Sequence, residues 1–277
     1  MTHIEYFKIR SQIENPDYLD LAILNSLIQS LSDSEVCSLF DLTFKQEYHI
    51  RHYILKKISD DISKKFTTDH QNLIKTLLKK LREKGFDKKE CCAFSLDFMY
   101  NKLPLRYKNL ILRSFLNSKS SRNRNRALKR INSEWHNRYI KTIESIWDCH
   151  KDSSCLDIII NHFPNDFLLS NYNELKLFAD QYQLSRLFIR IGSLKHELLE
   201  ELKNIDQITY SYVLAKLNKR FDSQQASEIL KNNHKDKRIG LLLWCFGKME
   251  LWDNIIEFDL KFKVKYKRAL IDNIINH

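Results

Sequence analysis

Apolar residues recur at three- and four-residue intervals along almost the whole chain, the period of a helix with one buried face. Leu21, Leu24, Leu27, Ile28 and Leu31 make one such stripe. Ile50, Ile54, Ile58, Ile62 and Phe66 make another, and Leu73, Leu77, Leu78 and Leu81 a third. The pattern continues through Tyr107, Leu110, Ile111 and Phe115, then Ala127, Leu128, Ile131 and Trp135, and reaches Phe258, Phe262, Tyr266 and Leu270. Start and stop signals punctuate it. Asn15-Pro16 pairs a favoured N-cap with proline at the first helical position. Ser32-x-x-Glu35 is a capping box, and Asp87-x-x-Glu90 opens another helix. Pro104 and Pro164 restart the pattern, Asp222 caps the helix of Ile229 and Leu230, and Gly85 is placed to end a helix. About sixteen helices follow from this reading, joined by connections of roughly 2–6 residues. Leu260 to Lys267 alternates as a strand would, but the four-residue series from Phe258 to Leu270 and the helical neighbours favour helix.

Composition narrows the fold class further. The 277 residues include only 4 Gly and 3 Pro. No two glycines lie close enough for G-x-G-x-x-G or a Walker loop, and no G-x-S-x-G elbow occurs. A β-sandwich or barrel with many tight turns would need more glycine at positive φ. An all-α protein is the expectation.

Helix pairs begin near residues 87, 121, 153 and 194, a period of about 34–40 residues. This spacing resembles the HEAT and armadillo repeat families over residues 20–260. The resemblance implies antiparallel helical pairs stacked as a superhelix, in one repeat domain over residues 1–277 with a possible subdivision near 66–70. The chain departs from the HEAT pattern in lacking a regular first-helix proline followed by Asp-Val and Arg. An irregular helical bundle is the alternative.

Charge is the most localised feature. The formal net charge is +11, yet residues 1–60 carry 6 basic and 9 acidic groups, and residues 61–150 carry 21 and 9. From Lys102 to Lys141 there are twelve Lys or Arg against one acid, Glu134. The densest part runs from Lys119 to Arg130. Arginine forks bind phosphate in bidentate fashion, and a helix starting near Ser121 adds amide donors. Arg122, Arg126, Lys129 and Arg130 share one side of that helix, while Ala127, Leu128 and Ile131 turn to the core. Tyr107, Trp135, His136, Arg138 and Tyr139 flank it and either stack on bases or belong to the core. Such a field points to a polyanion. The expected partner is nucleic acid, DNA or RNA, contacted at its backbone by Lys119, Arg122, Arg124, Arg126, Lys129, Arg130 and Arg138. A protein–protein adaptor binding an acidic segment is the second reading. Two further clusters, Lys75–Lys89 and Lys261–Arg268, are interrupted or bordered by acids. Lys75, Lys79 and Arg82 share a face.

Catalytic signals are weak. Arg130 to His136 and Arg190 to His196 match the R-x(4–6)-H spacing of HEPN ribonucleases, as chance predicts at this composition. His196-Glu-Leu-Leu-Glu200 lacks the second His of a zincin helix. Cys149, His150, Cys155 and His162 have no regular metal-site spacing, and C-x-x-C is absent. HEAT-like DNA glycosylases use Trp and Asp, and Trp147-Asp148 and Trp252-Asp253 supply only the residue types. The expectation is therefore a binding protein with no catalytic, metal or cofactor residues assigned. The N-terminus has no signal-peptide core and no apolar run reaches ~18 residues. Six cysteines in no recognisable disulfide or zinc pattern fit a reducing, cytoplasmic setting.

Overall fold

The computed structural model describes residues 2–12, 16–40, 48–84, 88–192, 194 and 196–262. Those residues form eighteen α-helices and no strand. They fall into two compact units, residues 1–130 and 131–277.

The first unit holds α1 (His3–Arg10), α2 (Tyr18–Ser30), α3 (Asp33–Leu39), α4 (Tyr48–Lys64), α5 (Thr68–Arg82), α6 (Lys89–Met99) and α7 (Leu105–Leu116). It also holds most of α8 (Ser121–Ser133), within which the division falls. Helices pack on their second-next neighbours in two series: α2 on α4 and α4 on α6, then α3 on α5 and α5 on α7. Phe7, Leu24, Ile28, Ile54, Ile58, Leu77, Leu96, Ile111 and Phe115 fill the core between them.

The second unit holds α9 (Ile140–His150), α10 (Ser153–His162), α11 (Asn165–Ser170), α12 (Tyr172–Phe178) and α13 (Gln181–Ile191). It continues with α14 (His196–Ile205), α15 (Gln207–Lys216), α16 (Ser223–Asn233), α17 (Ile239–Lys248) and α18 (Trp252–Phe262). Here α10, α13, α15 and α17 pack in succession, and α16 packs on α18. Polar side chains tie the successive helices. Gln183 donates to the backbone carbonyl and hydroxyl of Ser153, both at 3.0 Å, and Arg186 bonds Asp157 at 3.0 Å. Asp206 accepts from Gln181 at 2.8 Å and from Arg238 at 2.7 Å. Asn233 donates to Gln207 at 2.7 Å, and the buried Asn254 donates to the Ser223 carbonyl at 2.8 Å.

Local sequence explains most helix starts. Ser32 and Glu35 form the expected capping box, Asp222 accepts the Gln225 N–H at 2.7 Å, and Pro104 and Pro164 stand at the starts of α7 and α11. Each such side-chain cap is worth about 1 kcal/mol. One expectation is corrected: α2 starts after Pro16, not at it. Asp17 is the N-cap and exchanges hydrogen bonds with Asp20 at 2.8 and 3.2 Å, a reciprocal pair that satisfies two end-of-helix donors. Asn15, Gly85, Asp87 and the alternating residues after Phe262 lie outside the described residues. Gly192 ends α13 in a right-handed conformation. A Cβ there would stand 2.5 Å from the Phe188 carbonyl oxygen and 2.7 Å from Leu199, so close approach fixes this glycine.

The start of α5 carries a titratable cap. His70 is fully buried, and its Nδ1 accepts the Thr67 N–H at 3.2 Å. Burial lowers its pKa first of all, partly offset by Asp33, Asp61 and Asp69. The neutral imidazole is thus the native form, while the unfolded chain takes up a proton near the ordinary value of about 6.5. Stability is present above that pH and is lost as pH falls through it, because the unfolded state then binds more protons. The urea midpoint is expected to drop between pH 7.5 and 5.5. His70→Gln, which keeps an acceptor for the cap, should flatten part of that drop. His162, also lowered mainly by burial, adds a dependence of the same sign.

Candidate nucleic-acid interface

Helix α8 forms as its pattern dictates. Ala127, Leu128 and Ile131 are buried, which fixes the rotation of the helix and the direction of every arginine on it. Arg124 lies on the same stripe as those three residues, three and four positions before Ala127 and Leu128. It is 5% exposed, and its Nη1 donates to the carbonyls of Ser118 and Lys119, both at 3.0 Å. Its charge closes the turn entering α8 and is withdrawn from solvent.

Arg122, Arg126 and Arg130 stand four residues apart on the neighbouring stripe and meet two acids of α6. Glu90 and Asp97 are seven residues apart, on one face of that helix. Arg126 Nη2 lies 2.5 Å from Glu90 Oε1, its Nη1 donates to Asn123 Oδ1 at 2.8 Å, and its Nε lies 3.8 Å from Asp97. Arg130 reaches Asp97 at 3.2 Å and Asn101 at 3.0 Å, with its guanidinium 5.1 Å from the Tyr100 ring centre. Arg122 touches Glu90 at 3.3 Å, but its side chain is 73% exposed. Lys119 and Lys129 are exposed and ion-pair with no described residue. Of the six candidate cations in the first unit, Lys119, Arg122 and Lys129 therefore face solvent, Arg126 and Arg130 brace α8 on α6, and Arg124 is internal.

Arg138 belongs to the second unit. It sits in a 3-10 turn, exposed, with its guanidinium 2.8 Å from the Tyr139 hydroxyl and over that ring at 4.8 Å. The aromatics flanking the band are mostly engaged. Tyr107 is buried and donates to Gln71 at 3.1 Å. Trp135 stacks on His162 at 4.7 Å and 8°, and His162 is held by Asn132 at 2.8 Å. These rings are committed to packing, so contact here reduces to charge and hydrogen bonding at phosphates.

The other chemical candidates are scattered. Cys155 is buried and donates to the Ile143 carbonyl at 3.3 Å, whereas Cys149 and His150 are exposed. Among the described residues no three His, Cys, Asp or Glu side chains converge as metal ligands would. All six cysteines are free thiols, with Cys37 and Cys245 pushed up to about 12, mainly by burial. Arg190 is held by the backbone carbonyls of Ile160 and Phe163 and by the Asn165 side chain. Trp147 is buried while Asp148 is exposed. No helix of the described residues is long and apolar enough to cross a membrane.

Reading along the chain missed two things. The acids that answer the α8 arginines lie outside the basic window, although their seven-residue spacing was visible. The other is the packing of α5 on α7, which brings the face of Lys75, Lys79 and Arg82 next to the helix of Arg106 and Arg113. No protein-family model, curated protein or solved structure matches this chain.

Proposed function

We propose that the chain is a non-catalytic, helical-repeat protein that contacts the phosphate backbone of nucleic acid through the basic band at residues 102–141. The observation that carries the reading is the incomplete neutralisation of that band. Glu90 and Asp97 answer Arg126 and Arg130, while Lys119, Arg122 and Lys129 keep their charge toward solvent. The repeat reading draws support from second-next packing in both units: α2 on α4 on α6 and α3 on α5 on α7 in the first, and α13 on α15 on α17 and α16 on α18 in the second. Antiparallel pairs joined by short connections give that packing directly.

The test is fluorescence-polarisation binding to a labelled duplex across about 50–300 mM salt. Each phosphate neutralised contributes a slope of about −0.9 in log K against log salt. Lys119→Gln, Arg122→Gln and Lys129→Gln together should therefore reduce the slope by about 2–3. Absence of duplex binding by the wild-type chain at low salt would sink the proposal.

A further inference from the structure

Resting on the nucleic-acid reading, we infer that the adjoining exposed faces of α5 and α7 form a contact surface for nucleic-acid backbone distinct from that of α8, carried by Lys75, Lys79 and Arg82 together with Arg106 and Arg113 of the 102–141 band. On α5 the residues Leu73, Ile74, Leu77 and Leu78 are buried, which leaves Lys75, Lys79 and Arg82 on the solvent side. Gln71, one turn before Lys75 on that stripe, accepts the Tyr107 hydroxyl of α7 at 3.1 Å. The basic stripe thus starts at the edge that α5 shares with α7. Phe66, just before α5, packs on the same Tyr107 ring at 5.0 Å. On α7, Tyr107, Ile111 and Phe115 face the core, so Arg106 and Arg113 stand together on the open face.

Seven residues separate Arg106 from Arg113 and Lys75 from Arg82, a rise of roughly 10 Å in each helix. Helices in contact lie about 8–10 Å apart. The five cations consequently occupy two adjoining rows on one patch of the first unit. None of them ion-pairs with a described residue, in contrast to Arg126 and Arg130. Asp69 and Glu83 stand only at the two ends of α5.

The chemistry of the patch selects the partner. Between the cations lie Asn72, Thr76 and Asn109, all exposed hydrogen-bonding groups. Protein interfaces draw their energy from desolvated aromatic or arginine anchors seated in pockets. This patch has no exposed aromatic residue and only Leu105 and Leu110 as large apolar groups. Dispersed cations with neutral donors on an exposed helical surface suit phosphates.

The experiment compares three full-length variants by polarisation with the same labelled duplex across about 50–300 mM salt. The first carries Lys75→Gln, Lys79→Gln, Arg82→Gln, Arg106→Gln and Arg113→Gln. The second carries the α8 set, Lys119→Gln, Arg122→Gln and Lys129→Gln. The third removes the same charge as the first from exposed lysines elsewhere: Lys219→Gln, Lys231→Gln, Lys235→Gln, Lys237→Gln and Lys248→Gln. The first should lose about 4–5 units of salt slope, and the third should keep the wild-type slope. Circular dichroism should show all three folded, since every changed side chain is exposed. If the first variant binds as the wild type does while the α8 variant weakens, this surface is wrong and the wider reading stands. An equal loss in the third variant overturns the surface as well, by making net charge the cause. If the wild type ignores the duplex but binds polyglutamate through these five residues, both readings fail in favour of an acidic protein.

Discussion

Replacing Arg190 by alanine is expected to destabilise the second unit by about 3 kcal/mol, the cost of stripping a charged donor from several part-buried acceptors. Arg190 ends α13 and reaches across to where α10 stops and α11 begins. Its Nη1 donates to the Ile160 carbonyl, and its Nη2 donates to the Phe163 carbonyl at 2.7 Å and to Asn165 Oδ1 at 2.8 Å. The last carbonyls of a helix have no partner within it and carry the negative end of its dipole. One guanidinium answers both needs and fastens three helices. Burial lowers its pKa, yet a guanidinium stays charged across the working range. Arg190→Lys should recover only part of the loss, because a single ammonium cannot reproduce a planar fork aimed at three acceptors. The four tryptophans, Trp135, Trp147, Trp244 and Trp252, all belong to the second unit. Urea unfolding followed by tryptophan fluorescence therefore reads this unit alone. A midpoint unchanged in the alanine variant would refute the clamp.

The pair Glu90→Gln and Asp97→Asn should move stability and binding in opposite directions. In the native protein the two carboxylates hold Arg126, which is 14% exposed at its side chain, and Arg130 against α6. Removing both acids leaves three like charges on one stripe of α8. Stability of the first unit should fall by about 2 kcal/mol, between the values for exposed and buried pairs because Glu90 is 44% exposed and screened by water. Circular dichroism on urea titration measures this. The same change frees Arg126 and Arg130 for phosphate, so duplex affinity should rise and the salt slope should steepen by about 2. A damaged fold would lower both quantities. Lower stability with tighter binding is the signature of released charge, and weaker binding would contradict it.

Much of the architecture was legible because helix periodicity and caps are local. Ser32, Pro104, Pro164 and Asp222 mark starts that the structure places where the sequence does. The rotation of α8 was legible for the same reason, from Ala127, Leu128 and Ile131. That rotation also condemns Arg124 to the inside, a consequence that counting charges along the chain conceals. The function-bearing surface was harder to read, because an electrostatic field is assembled in space. Glu90 and Asp97 cancel charges more than thirty residues away, and α7 adjoins the basic stripe of α5 where Tyr107 docks beside Gln71. At Asn15-Pro16 a strong local signal yielded to a better one two residues on, since Asp17 and Asp20 satisfy each other.

The polar ties of the second unit have one property in common. Gln183 to Ser153, Arg186 to Asp157, Arg190 to Asn165, Gln181 and Arg238 to Asp206, Asn233 to Gln207 and Asn254 to Ser223 span 25 to 32 residues each. The entropy lost in closing a loop grows only with the logarithm of its length, so the shortest and longest of these loops differ by about 0.2 kcal/mol. No tie waits on a closure that is costlier than another by more than this small difference. Within the second unit each helix can be added to its predecessors at nearly constant entropic cost, so that unit can order itself in succession from any starting pair without a long search.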